Sequence, residues 1–411
     1  MSEPTGPLVG VRVLDLTSVV MGPFATQIFG DLGADVISVE PAAGDVMRHV
    51  MDGPHPELGG SVLNLWRNKR NISLDLKQPD ARAIFLQLAG TCDVMVTNLR
   101  SGPLARLGLD EVSVRQVRPD IIYCQANGYP SDSARADDPA YDDVIQSESG
   151  LADAAAKCTG TPVISATILV DKLCGLTIAY AVLAALFHRE RTGEGQKIEI
   201  PMLDASRAFM LVEHIGPAAS VPPCGEAGYS RVLNAHRGPK QTADGWAAVM
   251  PYSDENWTQI LTFLGRSDLL GDPRVATPRA RVDHAGFLYE AMADGLRLRS
   301  TADVLAFCDA ARIPSGPVST LSDIVDGFPE ADHPVIGRYK VIPSATRFSA
   351  TPTSVHRPAP RVGEDTAEIL ASLGFGPAEI EALAQSGAIH LANEPPSPSP
   401  SRSPQPTPGV P

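Results

Sequence analysis

The stretch from Thr167 to Ala205 limits the possible folds of this chain more than any other part of the sequence. Between Leu173 and Phe187, apolar residues recur at helical spacing and also fill the flanks, which predicts a long helix buried in a large core. Basic residues end this pattern, and Gly193 suits the left-handed stop after a helix. Lys197 to Ile200 then alternates like a strand, and a new helix follows it.

Asp171 lies where the apolar run at 163–170 meets the start of this predicted helix. Asp is a favoured residue at helix starts, and the local pattern alone favours a capping role over catalysis. A carboxylate at the positive end of a buried helix would stay ionised and be partly shielded from water. A catalytic role for Asp171 therefore needs support from other features of the sequence.

The first forty residues predict a strand, a helix and a second strand that ends in Glu40, which is the outline of a βαβ unit. The turn after the first strand, Thr17 to Gly22, lacks the G-x-G-x-x-G pattern, so use of NAD or FAD is not expected. Strands and helices continue to alternate as far as residue 205. The predicted fold class is therefore α/β, with a Rossmann-like parallel sheet.

With 411 residues, the chain is long enough for two domains. We predict that residues 1–214 form the first part of a large domain of Rossmann-like fold. Residues 215–330 are predicted to form a linker and a small α+β domain, and residues 331–393 to return to the large domain. The Pro- and Ser-rich tail, 394–411, is expected to be disordered.

Composition excludes several classes of function. The formal net charge of −14 disfavours nucleic acid and membrane surfaces as partners. The first residues show neither a basic nor an apolar segment, so a secretory signal is not expected, and the predicted apolar helix at 173–187 is expected to be too short to cross a membrane. Six cysteines occur without a C-x-x-C pair, so neither a metal site nor a disulfide framework is expected, and the expected location is the cytoplasm.

The sequence that follows Asp171 contains a Gly/Ala/Leu-rich helix, the segment R-E-R-T-G-E-G-Q and an alternating strand that ends near Asp204-Ala205. The N-terminus adds G-V-R-V-L-D-L and, further on, L-G-A-D-V-I-S-V-E. Together these features resemble the class III CoA-transferases, a family that includes formyl-CoA transferase, carnitine CoA-transferase and α-methylacyl-CoA racemase. Cys174 and Ser38 stand where Thr and Lys are usual. The resemblance covers about residues 8–392.

The resemblance implies that acyl-CoA is a substrate, with no tightly bound cofactor, and that certain residues contact CoA. Arginine suits such contacts because its guanidinium binds phosphate through paired hydrogen bonds. Lys69 and Arg70 are weaker candidates, and we interpret them more readily as solvated surface charges. The implied CoA-binding residues lie in the turn before Gly-Pro and in the segment N-L-R-S-G-P with the arginine after it: Ser18, Val19, Met21, Asn98, Leu99, Arg100 and Arg106.

Tyr141 is the second predicted catalytic residue, after Asp171. It begins a Y-D-x-x-x-Q pattern like that of the transferase branch, whereas the racemase branch has His at this position. The resemblance thus implies transfer of CoA to a free carboxylic acid through an aspartyl anhydride and an aspartyl-CoA thioester on Asp171. Acyl-CoA racemisation or epimerisation, and a non-catalytic CoA-binding protein, remain alternatives. The family also implies an interlocked homodimer.

Overall fold

A computed structural model describes residues 3–392, and the described chain divides into two compact units. The larger unit comprises residues 3–141, 169–205 and 328–392. The smaller unit comprises residues 142–168 and 206–327. The predicted disordered tail, 394–411, lies outside the described residues.

The larger unit is built on a seven-stranded sheet. Six strands run parallel: β1 (Arg12–Leu16), β2 (Asp35–Glu40), β3 (Lys69–Leu74), β4 (Val94–Thr97), β5 (Ile122–Asn127) and β6 (Lys197–Pro201). Their order across the sheet is 3-2-1-4-5-6, so the order reverses between β1 and β4. This is the strand order of a Rossmann fold, which confirms the predicted α/β class.

Helices cover this sheet, and the apolar side chains between the two layers form the main core of the unit. A two-stranded antiparallel hairpin, Glu330–His333 with Gly337–Lys340, lies outside the sheet. The α-helices that begin in this unit are Met21–Asp31, Gly60–Leu65, Pro79–Ala89, Ser101–Leu107, Glu111–Val117, Leu169–Thr192, Met202–His214, Thr366–Ser372 and Pro377–Gln385, with a 3₁₀ turn at Val46–Arg48.

Residues near the C-terminus complete the edge of the N-terminal sheet. The short strand Ile389–His390 pairs antiparallel with β3. The Asp365 carboxylate accepts a hydrogen bond from the Asn71 N–H (2.8 Å), and the Thr366 hydroxyl accepts one from the Ser73 N–H (3.0 Å). These contacts provide hydrogen-bond acceptors for two backbone N–H groups of β3.

The helix Leu169–Thr192 has 24 residues and packs against the helix Met21–Asp31 and against β5 and β6. Gly175 permits the close approach, because an added Cβ there would lie 2.8 Å from the Met21 carbonyl oxygen. Only one face is buried. The opposite face leaves large apolar side chains exposed, so the prediction that this helix is buried in a large core holds for one face only; the exposed side chains are Leu176, Tyr180, Leu183 and Phe187.

This helix is also longer than the sequence pattern predicted. Its most apolar window has a mean hydropathy of 1.8, so by length and composition alone it could cross a membrane. The expectation that it is too short to do so is therefore wrong. A helix that packs on a sheet inside a folded core passes the same test, and this helix does pack on the sheet.

The smaller unit has a three-stranded antiparallel sheet, Lys240–Gln241, Trp246–Val249 and Ser315–Pro317, packed with helices around a core that includes Trp257. Residues 142–168 and 206–214 were predicted to belong to the large domain, but the structure places them here, where the Cys158 thiol donates to the Val232 carbonyl (3.6 Å). The helices are Asp142–Glu148, Leu151–Thr159, Asp254–Phe263, Pro278–Asp283, Ala285–Leu296, Thr301–Ala310 and Leu321–Asp326, with 3₁₀ turns at Gly216–Ala219 and Ser267–Leu269.

Candidate active site

A cavity of about 220 Å³ opens at the carboxyl ends of β1, β4, β5 and β6, beside the point where the strand order reverses. Ligands of open α/β sheets bind at such a point. The cavity brings together every predicted site residue except Arg106. It is lined by Ser18, Val19, Met21, Asn98, Leu99, Arg100, Ala126, Asn127, Gly128, Asp138, Pro139, Ala140, Tyr141, Asp171 and Met202.

Asp171 lies in the first turn of the helix Leu169–Thr192, two residues inside its start. The residue is only 8% exposed, yet it lines the cavity. A carboxylate in the first turn is stabilised by the positive end of the helix dipole. The arrangement presents a mostly buried carboxylate to a space that a ligand can enter.

Val19 gives the turn after β1 an unusual backbone, with a φ of 68°. A β-branched residue rarely adopts this left-handed conformation, and such outliers cluster at functional sites. The Val19 N–H donates to the Asp45 carboxylate (3.1 Å), which also accepts from the Met47 N–H (2.8 Å). Burial raises the pKa of Asp45, although these two backbone donors oppose the shift.

Asn98 fixes the same turn from the neighbouring strand. Its side-chain oxygen accepts from the Ser18 N–H, and its side-chain nitrogen donates to the Ser18 carbonyl, both at 2.9 Å. The Asn98 amide therefore ties the turn after β1 to the turn after β4. The resemblance implied a contact with CoA at Asn98, and nothing in the sequence pattern pointed to this pairing across 80 positions.

The two predicted phosphate-binding arginines lie on one edge of the sheet but differ in position. Arg100 is exposed, lines the cavity and donates to the Asp137 carbonyl (2.8 Å). Arg106 is also exposed but does not line the cavity. An added Cβ on Gly102 would lie 3.4 Å from Arg106 Nη1, so this guanidinium lies over the first turn of its own helix, Ser101–Leu107.

A second cavity, of about 250 Å³, adjoins the first along the carboxyl ends of β1, β2 and β3. Ser18 and Leu99 line both cavities, so the turn after β1 separates them. Lys77 is the cationic residue that lines the second cavity. Lys77 was not among the predicted site residues, although its position three residues after β3 could have indicated it, because ligand-binding residues of such sheets follow the strand ends.

Lys69 and Arg70 line neither cavity, and the interpretation of these residues as solvated surface charges is wrong. The Lys69 side chain is fully buried, and its ammonium bonds to Asp15 (3.0 Å) and Thr26 (2.7 Å). Burial lowers the pKa of Lys69, and the Asp15 carboxylate opposes the shift. Arg70 is mostly buried and pairs with Asp35 (2.7 Å). Lys69 is thus paired inside the sheet, whereas Arg70 is paired with a partly exposed carboxylate.

The strand order, the cavity beside its reversal and the mostly buried carboxylate define a Rossmann-like α/β protein with a small-molecule site at its switch point. The model of CoA-transferase family III matches residues 8–366. The chain belongs to this family and is a class III CoA-transferase.

Named relatives are similar to this chain in sequence or structure along nearly its whole length. The succinate–glutarate CoA-transferase of Agrobacterium fabrum is 32% identical over 393 residues, which are 89% of this chain and 96% of that protein. The formyl-CoA:oxalate CoA-transferase of Escherichia coli O157:H7 is 30% identical, over 93% of this chain and 99% of that protein. The crystal structure of a CaiB/BaiF family protein from Brucella suis superposes with a TM-score of 0.77 at 27% identity, covering 90% of this chain and all of that one.

Proposed function

We propose that this protein transfers CoA from an acyl-CoA thioester to a free carboxylic acid, with Asp171 as the nucleophile. The observation that carries the proposal is the position of the Asp171 carboxylate, mostly buried yet open to the cavity at the strand ends. Carboxylates are weak nucleophiles in water, and partial burial removes solvent that would shield the attacking oxygen.

The proposed reaction has two symmetric halves. The Asp171 carboxylate attacks the thioester carbonyl, the C–S bond breaks, and CoA leaves as a thiolate with a mixed anhydride behind it. The thiolate then attacks the aspartyl carbonyl, which releases the donor acid and leaves an aspartyl-CoA thioester. The acceptor carboxylate attacks this thioester and expels the thiolate, which finally attacks the acceptor carbonyl. Acceptor acyl-CoA departs and the Asp171 carboxylate is restored.

We propose that CoA extends along the strand ends and across both cavities, because Ser18 and Leu99 line both of them. Backbone groups of Val19 and Met21 would contact the ligand, since the turn is held rigidly from both sides. The guanidinium groups of Arg100 and Arg106 would bind its phosphates. Asn98 would act mainly by holding the turn. CoA is then a substrate, and no other cofactor is part of the proposal.

Tyr141 favours transfer over racemisation. It is 67% exposed at the mouth of the cavity, and a phenol is a poor base at neutral pH. Inversion at an α-carbon needs acid–base groups on both of its faces. The other carboxylate lining the cavity, Asp138, pairs with Arg135 (3.0 Å). We therefore assign Tyr141 to the acceptor side of the cavity, as a hydrogen-bonding group.

The relatives' names couple CoA to succinate, glutarate, formate and oxalate. We propose a small carboxylic acid as the acceptor for this enzyme as well, and the cytoplasm as its location.

We also propose a homodimer, because the exposed face of the helix Leu169–Thr192 leaves Tyr180 and Phe187 each more than 60% exposed. Such an apolar face is typical of a protein interface. Light scattering that shows only monomer at micromolar concentration would refute the dimer.

Trapping of the covalent intermediate tests the mechanism. The enzyme is incubated with an acyl-CoA and no acceptor, and then with hydroxylamine, which converts an activated aspartyl group into a hydroxamate. We expect peptide mass spectrometry to locate the hydroxamate at Asp171. The Asp138→Asn variant is the matched control and should give the same product. Turnover without any modification of Asp171, or rapid α-deuteration in D₂O without transfer, would rule the proposal out.

A further inference from the structure

The smaller unit has two adjoining cavities of its own, of about 220 Å³ and about 470 Å³. Met250 and Tyr289 line both, so the two spaces meet at these side chains. The first cavity has aromatic walls, which include Tyr229, Tyr252 and Trp257. A largely apolar concave space with a few polar groups is the usual form of a small-molecule site.

The charged side chains that line these cavities are all of one sign. Arg231 and Arg281 line the first cavity, and Arg237 and Lys240 line the second. No Asp or Glu lines either one. Arg281 is neutralised by an ion pair with Asp254. In a chain of net charge −14, such a concentration of cations around a cavity selects for an anion.

Within residues 3–392, Lys240, Arg231 and Arg237 form no ion pair with a carboxylate. Lys240 and Arg231 are the two of these cations that lie against Tyr289, the residue shared by both cavities. The Lys240 ammonium is half-buried and lies 5.3 Å from the centre of the Tyr289 ring. Burial lowers the pKa of Lys240. The Lys240 ammonium donates to the His236 carbonyl but has no carboxylate beside it, so its charge gains stability when an anion binds.

Arg231 approaches the same tyrosine at its other end. Its guanidinium interacts with the hydroxyls of Tyr229 and Tyr289, and it lies 6.0 Å from the centre of the Tyr252 ring. Tyr289 is 9% exposed and is held between the two charges. One cation therefore lies over the ring face and the other at the hydroxyl, each in its own cavity, with apolar surface between them.

We propose that these joined cavities bind a small organic dicarboxylate, one carboxylate at Lys240 and the other at Arg231, with its methylene chain against Tyr289 and Met250. Two separated cations require two separated negative charges, and the apolar surface between them suits a short hydrocarbon chain. The proposal concerns binding by the smaller unit alone, and it stands whether or not Asp171 transfers CoA.

Isothermal titration of the full-length protein with glutarate tests the proposal. CoA is kept at saturating concentration, so that the cavity at the strand ends is occupied. We expect one glutarate per chain, and we expect both Lys240→Met and Arg231→Gln to weaken binding by roughly tenfold or more. Lys240→Arg keeps the charge and should retain binding. Arg297→Gln, an exposed substitution elsewhere on this unit, should bind as the wild type does.

Titrations with other anions test which chemical class of ligand these cavities bind. Butyrate, with one carboxylate, should bind more weakly than glutarate, and inorganic phosphate should not compete. Equal affinity for butyrate and glutarate, or displacement by phosphate, would overturn the two-ended assignment. Absence of glutarate binding would overturn the site, and so would binding that survives Lys240→Met and Arg231→Gln but is lost in Asp171→Ala. Circular dichroism of each variant verifies that it is folded.

Discussion

Lys69 Nζ lies 3.0 Å from Asp15 Oδ2, and neither side chain is more than 2% exposed. Asp15 also accepts hydrogen bonds from the backbone and the hydroxyl of Thr17, in the turn that leads to Ser18. This ion pair inside the sheet therefore connects β3 to the start of the cavity wall. Its removal should affect stability before it affects the chemistry.

Lys69→Met should lower the free energy of unfolding by about 3–5 kcal/mol, because it leaves a buried carboxylate without a counter-charge. Urea unfolding followed by circular dichroism measures the loss. The control is Arg12→Met, which removes an ion pair whose side chains are more than a third exposed and should cost less than about 1 kcal/mol. Similar small losses in both variants would show that Asp15 has another source of stabilisation.

Asp171→Asn should abolish CoA transfer, lowering kcat by more than about a thousandfold, because an amide cannot form the anhydride. Binding of acyl-CoA and the melting temperature should change little, since Asn has nearly the same shape. Steady-state kinetics and calorimetric titration separate the two effects. Asp138→Asn, in the same cavity, should retain turnover. Full activity in Asp171→Asn would reduce Asp171 to a structural residue of the helix start.

Arg100→Ala and Arg106→Ala should each weaken acyl-CoA binding, because a charge-assisted hydrogen bond to phosphate contributes about 1.5–3 kcal/mol. We expect KM for acyl-CoA to rise and kcat to change much less. Comparison of CoA with 3′-dephospho-CoA in each variant identifies the phosphate involved. Arg279→Ala, an exposed arginine of the smaller unit, is the control. Unchanged affinity in both variants would place the phosphates elsewhere.

The reactivity of individual cysteine thiols should test which of them are buried. Burial raises the pKa of Cys92 and of Cys124 to about 12 each, so almost no thiolate exists at these positions at pH 8. Cys224 is exposed. Iodoacetamide at pH 8 should therefore modify Cys224 in the native protein and reach Cys92 and Cys124 only in denaturant, as peptide mapping can measure. Early modification of Cys92 would contradict the described packing.

The sequence predicted the parallel strands of the large sheet well, because a strand buried on both faces leaves a run of apolar residues that is visible locally. The position of Asp171 near a helix start was also predicted, because the helical spacing of apolar residues is visible locally. The first residue of the helix was not predicted: the helix begins at Leu169, so the Asp171 carboxylate lies inside the first turn. Helix ends depend on tertiary contacts that no local pattern contains.

The errors arose where distant residues meet. A run of basic residues in the sequence predicts a solvated surface. Only the fold shows that Lys69 is buried and bonds to Asp15, 54 positions away in the chain. The pairing of Asn98 with Ser18 is equally invisible in the sequence. A highly apolar helix predicts burial, but the exposed Tyr180 and Phe187 show that an apolar pattern alone does not reveal which face of the helix is buried.

The bonds from Asp365 and Thr366 to β3 have a consequence for synthesis on the ribosome. The Asn71 N–H meets its carboxylate partner 294 positions later in the chain. At roughly 5–20 residues per second, translation needs about 15–60 s to cover that distance. During this interval the edge of β3 lacks the residues that pair with it. Nascent chains should therefore depend on chaperones, and a premature stop before residue 365 should yield an aggregating fragment.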